Sequence, residues 1–237
     1  MATELVFRAD AYATQCSARI LEHAEKGIIA DRTVFYATSG GQPGDSGRLI
    51  RADGSVIPLT TAVFVDPAKT IIAHVPPPGH DLPAIGEAVT LEIDAAPRFN
   101  RMRMHTALHL LSVVLPYPVT GGAVGDAESR LDFDIPDAGL DKDTITEKLN
   151  ALIARDAAVT DRLITEAELD ANPGLVKTMS VQPPRGAGTI RLVEIAGLDL
   201  QPCGGTHVRR TGEIGRILVT QIEKKGKQNR RVRIAFA

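Results

Sequence analysis

The sequence predicts an α+β protein: a small N-terminal β-barrel over residues 1–95, then an α/β domain of helices on an antiparallel sheet over residues 96–237. Three observations predict this. Up to Ile93 the chain is a succession of short β-forming runs parted by turn residues. From Arg98 to Leu115 the apolar period becomes helical, with Met104, Leu108, Leu111 and Leu115 at core spacing. Beyond that helix, alternating segments such as Arg130–Ile135 read as half-buried strands.

Taken in order, Leu5, Phe7 and Tyr12–Ile20 are expected as strands, with a hairpin at Gly27, and Thr33–Tyr36 as another. Gly40–Gly47 is a turn-rich loop that lacks the ending of a P-loop, so a tight corner is the expected role. Ala52-Asp53-Gly54-Ser55 turns a hairpin. Strands follow at Ala62–Val65, Thr70–Val75 and Thr90–Ile93, and Pro76-Pro77-Pro78-Gly79 interrupts them. Pro116 and Pro118 end the long helix. Arg98, Arg101 and Arg103 near its start are read either as contacts for a phosphate-bearing partner or as plain solvated charges. Val119–Gly125 is expected to be a flexible connector. Thr144 with Glu147 forms a capping-box pattern for a helix that buries Ile145, Leu149, Leu152 and Ile153. Then come a strand at Val159–Thr165, a helical turn at Glu166–Asp170, and loops at Asn172-Pro173-Gly174 and Pro183-Pro184-Arg185-Gly186. A strand at Thr189–Ile195 precedes a final hairpin, Ile214–Glu223 and Arg231–Phe236, around Gly226.

The chemistry concentrates in two motifs. His105-Thr106-Ala107-Leu108-His109 lies on the helix, where residues four apart share a face, so both rings can aim at one point. Cys203-Gly204-Gly205-Thr206-His207 follows Pro202 and implies a turn that folds Cys203 back toward His207. The chain has six histidines, three of them here, together with one of its two cysteines. Imidazole and thiolate suit Zn²⁺, and His105, His109, Cys203 and His207 would fill a tetrahedral shell. The first motif lacks the glutamate of the zinc proteases, which disfavours that chemistry. Cys16 reads as a small buried hydrophobe.

These motifs, with Phe35-Tyr36-Ala37-Thr38-Ser39-Gly40-Gly41-Gln42-Pro43-Gly44-Asp45-Ser46-Gly47 and the later Thr211-Gly212-Glu213-Ile214-Gly215 and Glu223-Lys224-Lys225-Gly226-Lys227, resemble the free-standing alanyl-tRNA editing proteins, the AlaX family. The resemblance implies a zinc-binding editing domain, and a trans-editing hydrolase that deacylates tRNA(Ala) mischarged with serine, with glycine as a second candidate. It also lets the Gly40–Gly47 loop approach the RNA end, and it places a hydroxyl-bearing residue near Thr120 to hold the serine side chain. No catalytic residue is assigned beyond a zinc-bound water, whose pKa falls to roughly 7. Four protein ligands close a tetrahedral shell, so a non-catalytic RNA-binding module with structural zinc is the alternative.

Net charge is −2, yet nine basic residues between Arg209 and Arg233 face only Glu213 and Glu223, giving that segment +7 and the rest −9. Arg209, Lys224, Lys225, Lys227 and Arg230 are therefore candidate RNA contacts, with solvation of a terminal hairpin the competing reading. No apolar run is long enough to span a bilayer and no signal segment is read at the N-terminus, so the cytoplasm is the expected compartment.

Overall fold

A computed structural model describes residues 2–136, 139–179 and 188–237. The expected loop Pro183-Pro184-Arg185-Gly186 lies outside the described residues. The chain divides into two compact units: Met1–Ser39 with Pro43–Phe99, and Gly40–Gln42 with Asn100–Ala237.

In the first unit, β1 (Glu4–Leu5) leads into a single helical turn, α1 (Val6–Ala9). Strands β2 (Gln15–Ala24), β3 (Gly27–Ala30), β5 (Gly47–Arg51), β6 (Val56–Leu59), β7 (Thr61–Phe64), β8 (Ile72–Val75) and β9 (Ala88–Ile93) make one sheet in the order β6-β5-β9-β2-β3-β8-β7, and the short β4 (Arg32–Thr33) pairs with β1. All the pairings within the seven-stranded sheet are antiparallel. Its edge strands β6 and β7 are joined through Thr60 but share no ladder, so the expected barrel is not closed by hydrogen bonds. The alternating inner residues Ile20, Ile28, Leu49, Leu59, Ile72 and Leu91 form the core.

Two expectations fail here. Phe7 lies on α1 and is buried. Thr33–Tyr36 leaves the ladder after Thr33, although Val34, Phe35 and Tyr36 are fully buried. Side chains replace the ladder there: the Phe35 amide donates to Thr33 Oγ1 at 2.9 Å and the Tyr36 amide to Asp45 Oδ2 at 2.7 Å. Arg98 donates to the Val34 carbonyl at 2.7 Å. Apolar, β-branched composition signals burial as strongly as it signals a strand, and here burial alone was meant.

Helix α2 (Ala95–Val114) carries the division between the units, which falls between Phe99 and Asn100. It is followed by β10 (Val119–Ala123), β11 (Glu128–Asp134), α3 (Lys142–Ile153), β12 (Val159–Thr165), α4 (Glu166–Asp170), β13 (Thr189–Ile195), β14 (Asp199–Pro202), β15 (Ile217–Lys224) and β16 (Asn229–Phe236). The last two form the expected hairpin. The second unit holds two antiparallel sheets, β10-β11-β16-β15 and β12-β13-β14. Helix α3 lies on β15, where Asn150 donates to the Ile217 carbonyl at 2.7 Å and accepts from its amide at 3.0 Å.

The expected connector at Val119–Gly125 is largely strand β10, with a bulge at Thr120 where the register slips. Glycine content suggested a linker, but Gly41 and Gly122 need it for close approach: a Cβ on Gly41 would lie 2.8 Å from the Gly122 carbonyl oxygen. Helix α3 starts earlier than the Thr144–Glu147 pattern suggests, because Asp141 is the N-cap and accepts from the Thr144 amide. The capping box belongs to α4, between Thr165 and Glu168. Among the described residues no helix is long and apolar enough to cross a membrane.

Candidate metal centre

Helix α2 presents His105 and His109 one turn apart, with ring centroids 5.4 Å from each other. The turn after β14 brings His207 to 4.4 Å from the first ring and 4.6 Å from the second. Cys203 Sγ lies 3.4 Å from His105 Nε2 and 3.2 Å from His207 Nε2. One ligand atom from each of these four residues lies within 4.8 Å of all the others.

The local sequence explains the geometry. A Cβ on Gly205 would meet His105 Cε1 at 2.1 Å, so only glycine lets the turn pass the first imidazole. Arg191 on β13 donates to the carbonyls of Cys203 and Gly205, both at 3.0 Å, and so holds the turn against the sheet. The Cys203 amide pairs with the Arg191 carbonyl at 3.1 Å.

Each imidazole is oriented by a partner at Nδ1. His105 Nδ1 donates to Gln42 Oε1 at 2.9 Å. Gln42 is itself fixed, since Oε1 also accepts from the Thr206 amide at 3.1 Å and Nε2 donates to Thr206 Oγ1 at 2.9 Å. His207 Nδ1 faces Thr106 Oγ1 at 3.1 Å, and because that hydroxyl donates back to the Met102 carbonyl, it accepts from the ring. His109 Nδ1 donates to Asp199 Oδ2 at 3.1 Å. All three Nδ1 atoms thus act as donors, which leaves the three Nε2 lone pairs for the centre shared with the sulfur. That donor set fits a divalent ion of the zinc type.

Electrostatics agree. Burial would raise the Cys203 thiol, but the imidazoles of His105 and His207 hold it well below the ordinary range, toward the thiolate a metal needs. Burial pushes His207 down to about 3, and His105 and His109 add to this against the opposing pull of Cys203. Burial opposes a charge on His109, yet Asp199 and then Cys203 raise it to about 9, so a metal would have to displace a proton from its Nε2. Burial likewise opposes the Asp199 carboxylate, but His109, Lys177 and Gln201 hold it down at about 2. The histidines are almost fully buried, whereas Cys203 is half-buried and Gly204 exposed, so the cluster meets solvent on the side of that turn.

The remaining residues that the sequence singles out fall elsewhere in the unit. Thr120 is the bulge residue of β10, and its hydroxyl accepts from Asn229 on β16 at 3.1 Å. Its strand lies against the loop that supplies Gln42, since the Val124 amide donates to the Gly41 carbonyl at 2.8 Å. Arg209, Lys224, Lys225 and Lys227 are exposed and Arg230 half-buried. The terminal charge is less free than the sequence suggests: Arg231 pairs with Asp132 at 2.8 Å, Arg233 with Glu128 at 2.7 Å and Glu223 at 2.5 Å, and Lys225 with Glu223 at 2.5 Å. Carboxylates on the neighbouring β11 face these arginines across the sheet, which a count along one segment cannot register.

The arginines near the start of α2 also have structural partners. Arg98 is buried with Asp45, Arg101 pairs with Asp126 at 2.5 Å, and Arg103 donates to the Ile214 carbonyl at 2.8 Å while lying over the Phe236 ring. Gln42, Thr106 and Asp199 are the residues the sequence reading missed. Their signal was slight: a glutamine in a glycine run, a threonine inside the histidine pair, and an acid just before the cysteine motif.

Residues 5–97 match the family model described as tRNA synthetases class II (A), and residues 190–233 match Threonyl and Alanyl tRNA synthetase second additional domain. The alanyl-tRNA editing protein AlaX-M of Methanosarcina mazei is 33% identical over 241 residues, covering 97% of this chain and 95% of that protein. The AlaX-M protein of Methanosarcina acetivorans is 34% identical, with 97% of each chain covered. The alanine–tRNA ligase of Pyrobaculum calidifontis is 34% identical over 94% of this chain, which spans 25% of that ligase.

Proposed function

This chain belongs to the alanyl-tRNA editing proteins of the AlaX type, and from that premise we propose that it hydrolyses the aminoacyl ester of tRNA(Ala) mischarged with serine, with Gly-tRNA(Ala) as a second substrate. The observation that carries the reading is the common orientation of three imidazoles, each tied at Nδ1 and open at Nε2 toward Cys203. His105, His109, Cys203 and His207 would hold Zn²⁺, which when bound supplies Lewis acidity and acidifies a water toward neutral pH.

The chain's own residues do the remaining work. Gln42, Thr106 and Asp199 keep the ligands aligned, so no reorganisation is needed when substrate arrives. The opening beside Cys203 and Gly204 admits water and the ester. Lys224 and Lys227 on the exposed hairpin tip, together with Arg209, Lys225 and Arg230, meet the phosphates of the acceptor end. Thr120 is the proposed partner of the serine hydroxyl. A pocket that relied on fit would discriminate an added hydroxyl by only about a hundredfold, whereas a bond to that hydroxyl can give on the order of 10⁴–10⁵.

A test is incubation with Ser-tRNA(Ala) and with Ala-tRNA(Ala), each with and without a chelator. Serine release that stops when metal is removed is the expected result. Tight tRNA binding without any deacylation would instead favour the RNA-binding module with a structural ion.

A further inference from the structure

The three histidines differ in what their Nδ1 atoms meet. His105 has a neutral amide oxygen and His207 a neutral hydroxyl, whereas His109 faces a carboxylate. Asp199 is the first residue of β14 and its side chain has no exposed surface. Both of its oxygens are used. Oδ2 takes His109 Nδ1 at 3.1 Å and Gln201 Nε2 at 2.7 Å, and Oδ1 forms an ion pair with Lys177. Gln201 lies two residues along the same strand, so both side chains project from one face toward α2.

We propose that Asp199 is a positioning residue for His109: it fixes the Nδ1–H tautomer and, by its charge, makes Nε2 the strongest imidazole donor of the cluster, while Lys177 tempers that charge. The inference rests on the metal reading of the cluster. A buried carboxylate beside a ligand imidazole raises the basicity of the opposite nitrogen, and such partners are worth about 10–100-fold in metal affinity. A purely structural role makes a different demand. If Asp199 served only to tie β14 to the segment around Lys177, losing either partner would loosen the site alike. If its charge acts on His109, removing Lys177 leaves that charge less compensated and the ligand no weaker.

The experiment measures zinc affinity by competition with a chromophoric chelator at one fixed pH, beside the visible absorption of the cobalt(II) form. Asp199→Asn is expected to lower affinity about 10–100-fold and to shift the cobalt bands. Lys177→Met, at a position still partly exposed to solvent, is expected to bind zinc as tightly as the parent or more tightly. Parental affinity and spectrum in Asp199→Asn would overturn the inference, as would Lys177→Met falling as far as Asp199→Asn. Should Asp199→Asn fail to fold, Lys177→Met decides: tighter binding than the parent supports the inference, and parental or weaker affinity then overturns it. A parent chain that takes up no zinc or cobalt would overturn the metal centre itself and this inference with it, whereas metal on the parent with an insensitive Asp199→Asn overturns the inference only.

Discussion

At the scale of the residue, the centre depends on atoms that are absent as much as on those present. Gly205 has no Cβ, and that lets His105 keep its place. Gly205→Ala is expected to push either the ring or the turn aside and to lose most bound metal while the sheets stay intact. Metal content measured beside circular dichroism checks this, and full stoichiometry would refute it. Thr120→Val is expected to keep metal and to lose preference for serine over alanine, read as the ratio of the two deacylation rates; an unchanged ratio removes Thr120 from the mechanism. The convergence of His105 and His109 was legible in the sequence, because a helix fixes where residues four apart must point. Their partners were not. Gln42, Thr106 and Asp199 reach the rings from three separate stretches, and each is of a residue type common enough to mean nothing by itself.

At the scale of the element, the terminal hairpin β15–β16 carries two populations of basic side chains. Arg231 and Arg233 are paired with carboxylates across the sheet. Lys224 and Lys227 sit exposed at its tip. Replacing both lysines by alanine is expected to weaken tRNA binding and to reduce the slope of log affinity against log salt by up to about 2, since each phosphate contact contributes roughly one. Arg231→Ala should leave that slope nearly unchanged, and binding measured across a salt series separates the two cases. The strand content was readable wherever apolar and polar residues alternate, as in β11 and β13. It failed at Thr33–Tyr36, where side chains take over the backbone bonding, and at β10, where glycines serve close packing rather than freedom.

At the scale of the whole molecule, stability should depend on pH through the first unit. His74 is buried there, with Nδ1 donating to the Ile28 carbonyl at 2.9 Å and Nε2 accepting from the Thr33 hydroxyl at 2.7 Å. Burial pushes its pKa down to about 4, against the smaller opposing effect of the Ile28 bond. The folded form therefore stays neutral at pH values where the unfolded chain takes up a proton. Its contribution is complete above about pH 6.5 and is lost as pH falls toward 4, amounting to about 3 kcal/mol at roughly 1.4 kcal/mol per pH unit. Urea titrations across that range check the slope, and a flat profile would contradict the assignment.

Gln42 also bears on how this protein can be dissected. The glutamine that steadies His105, the first of the proposed metal ligands, is encoded some sixty codons upstream of it, inside the stretch that otherwise builds the seven-stranded sheet. A gene fragment beginning at Asn100 would carry all four clustered side chains and still leave His105 with a ring hydrogen that nothing receives. Minimised versions made for biotechnology would have to keep that three-residue insert, or supply an acceptor in its stead.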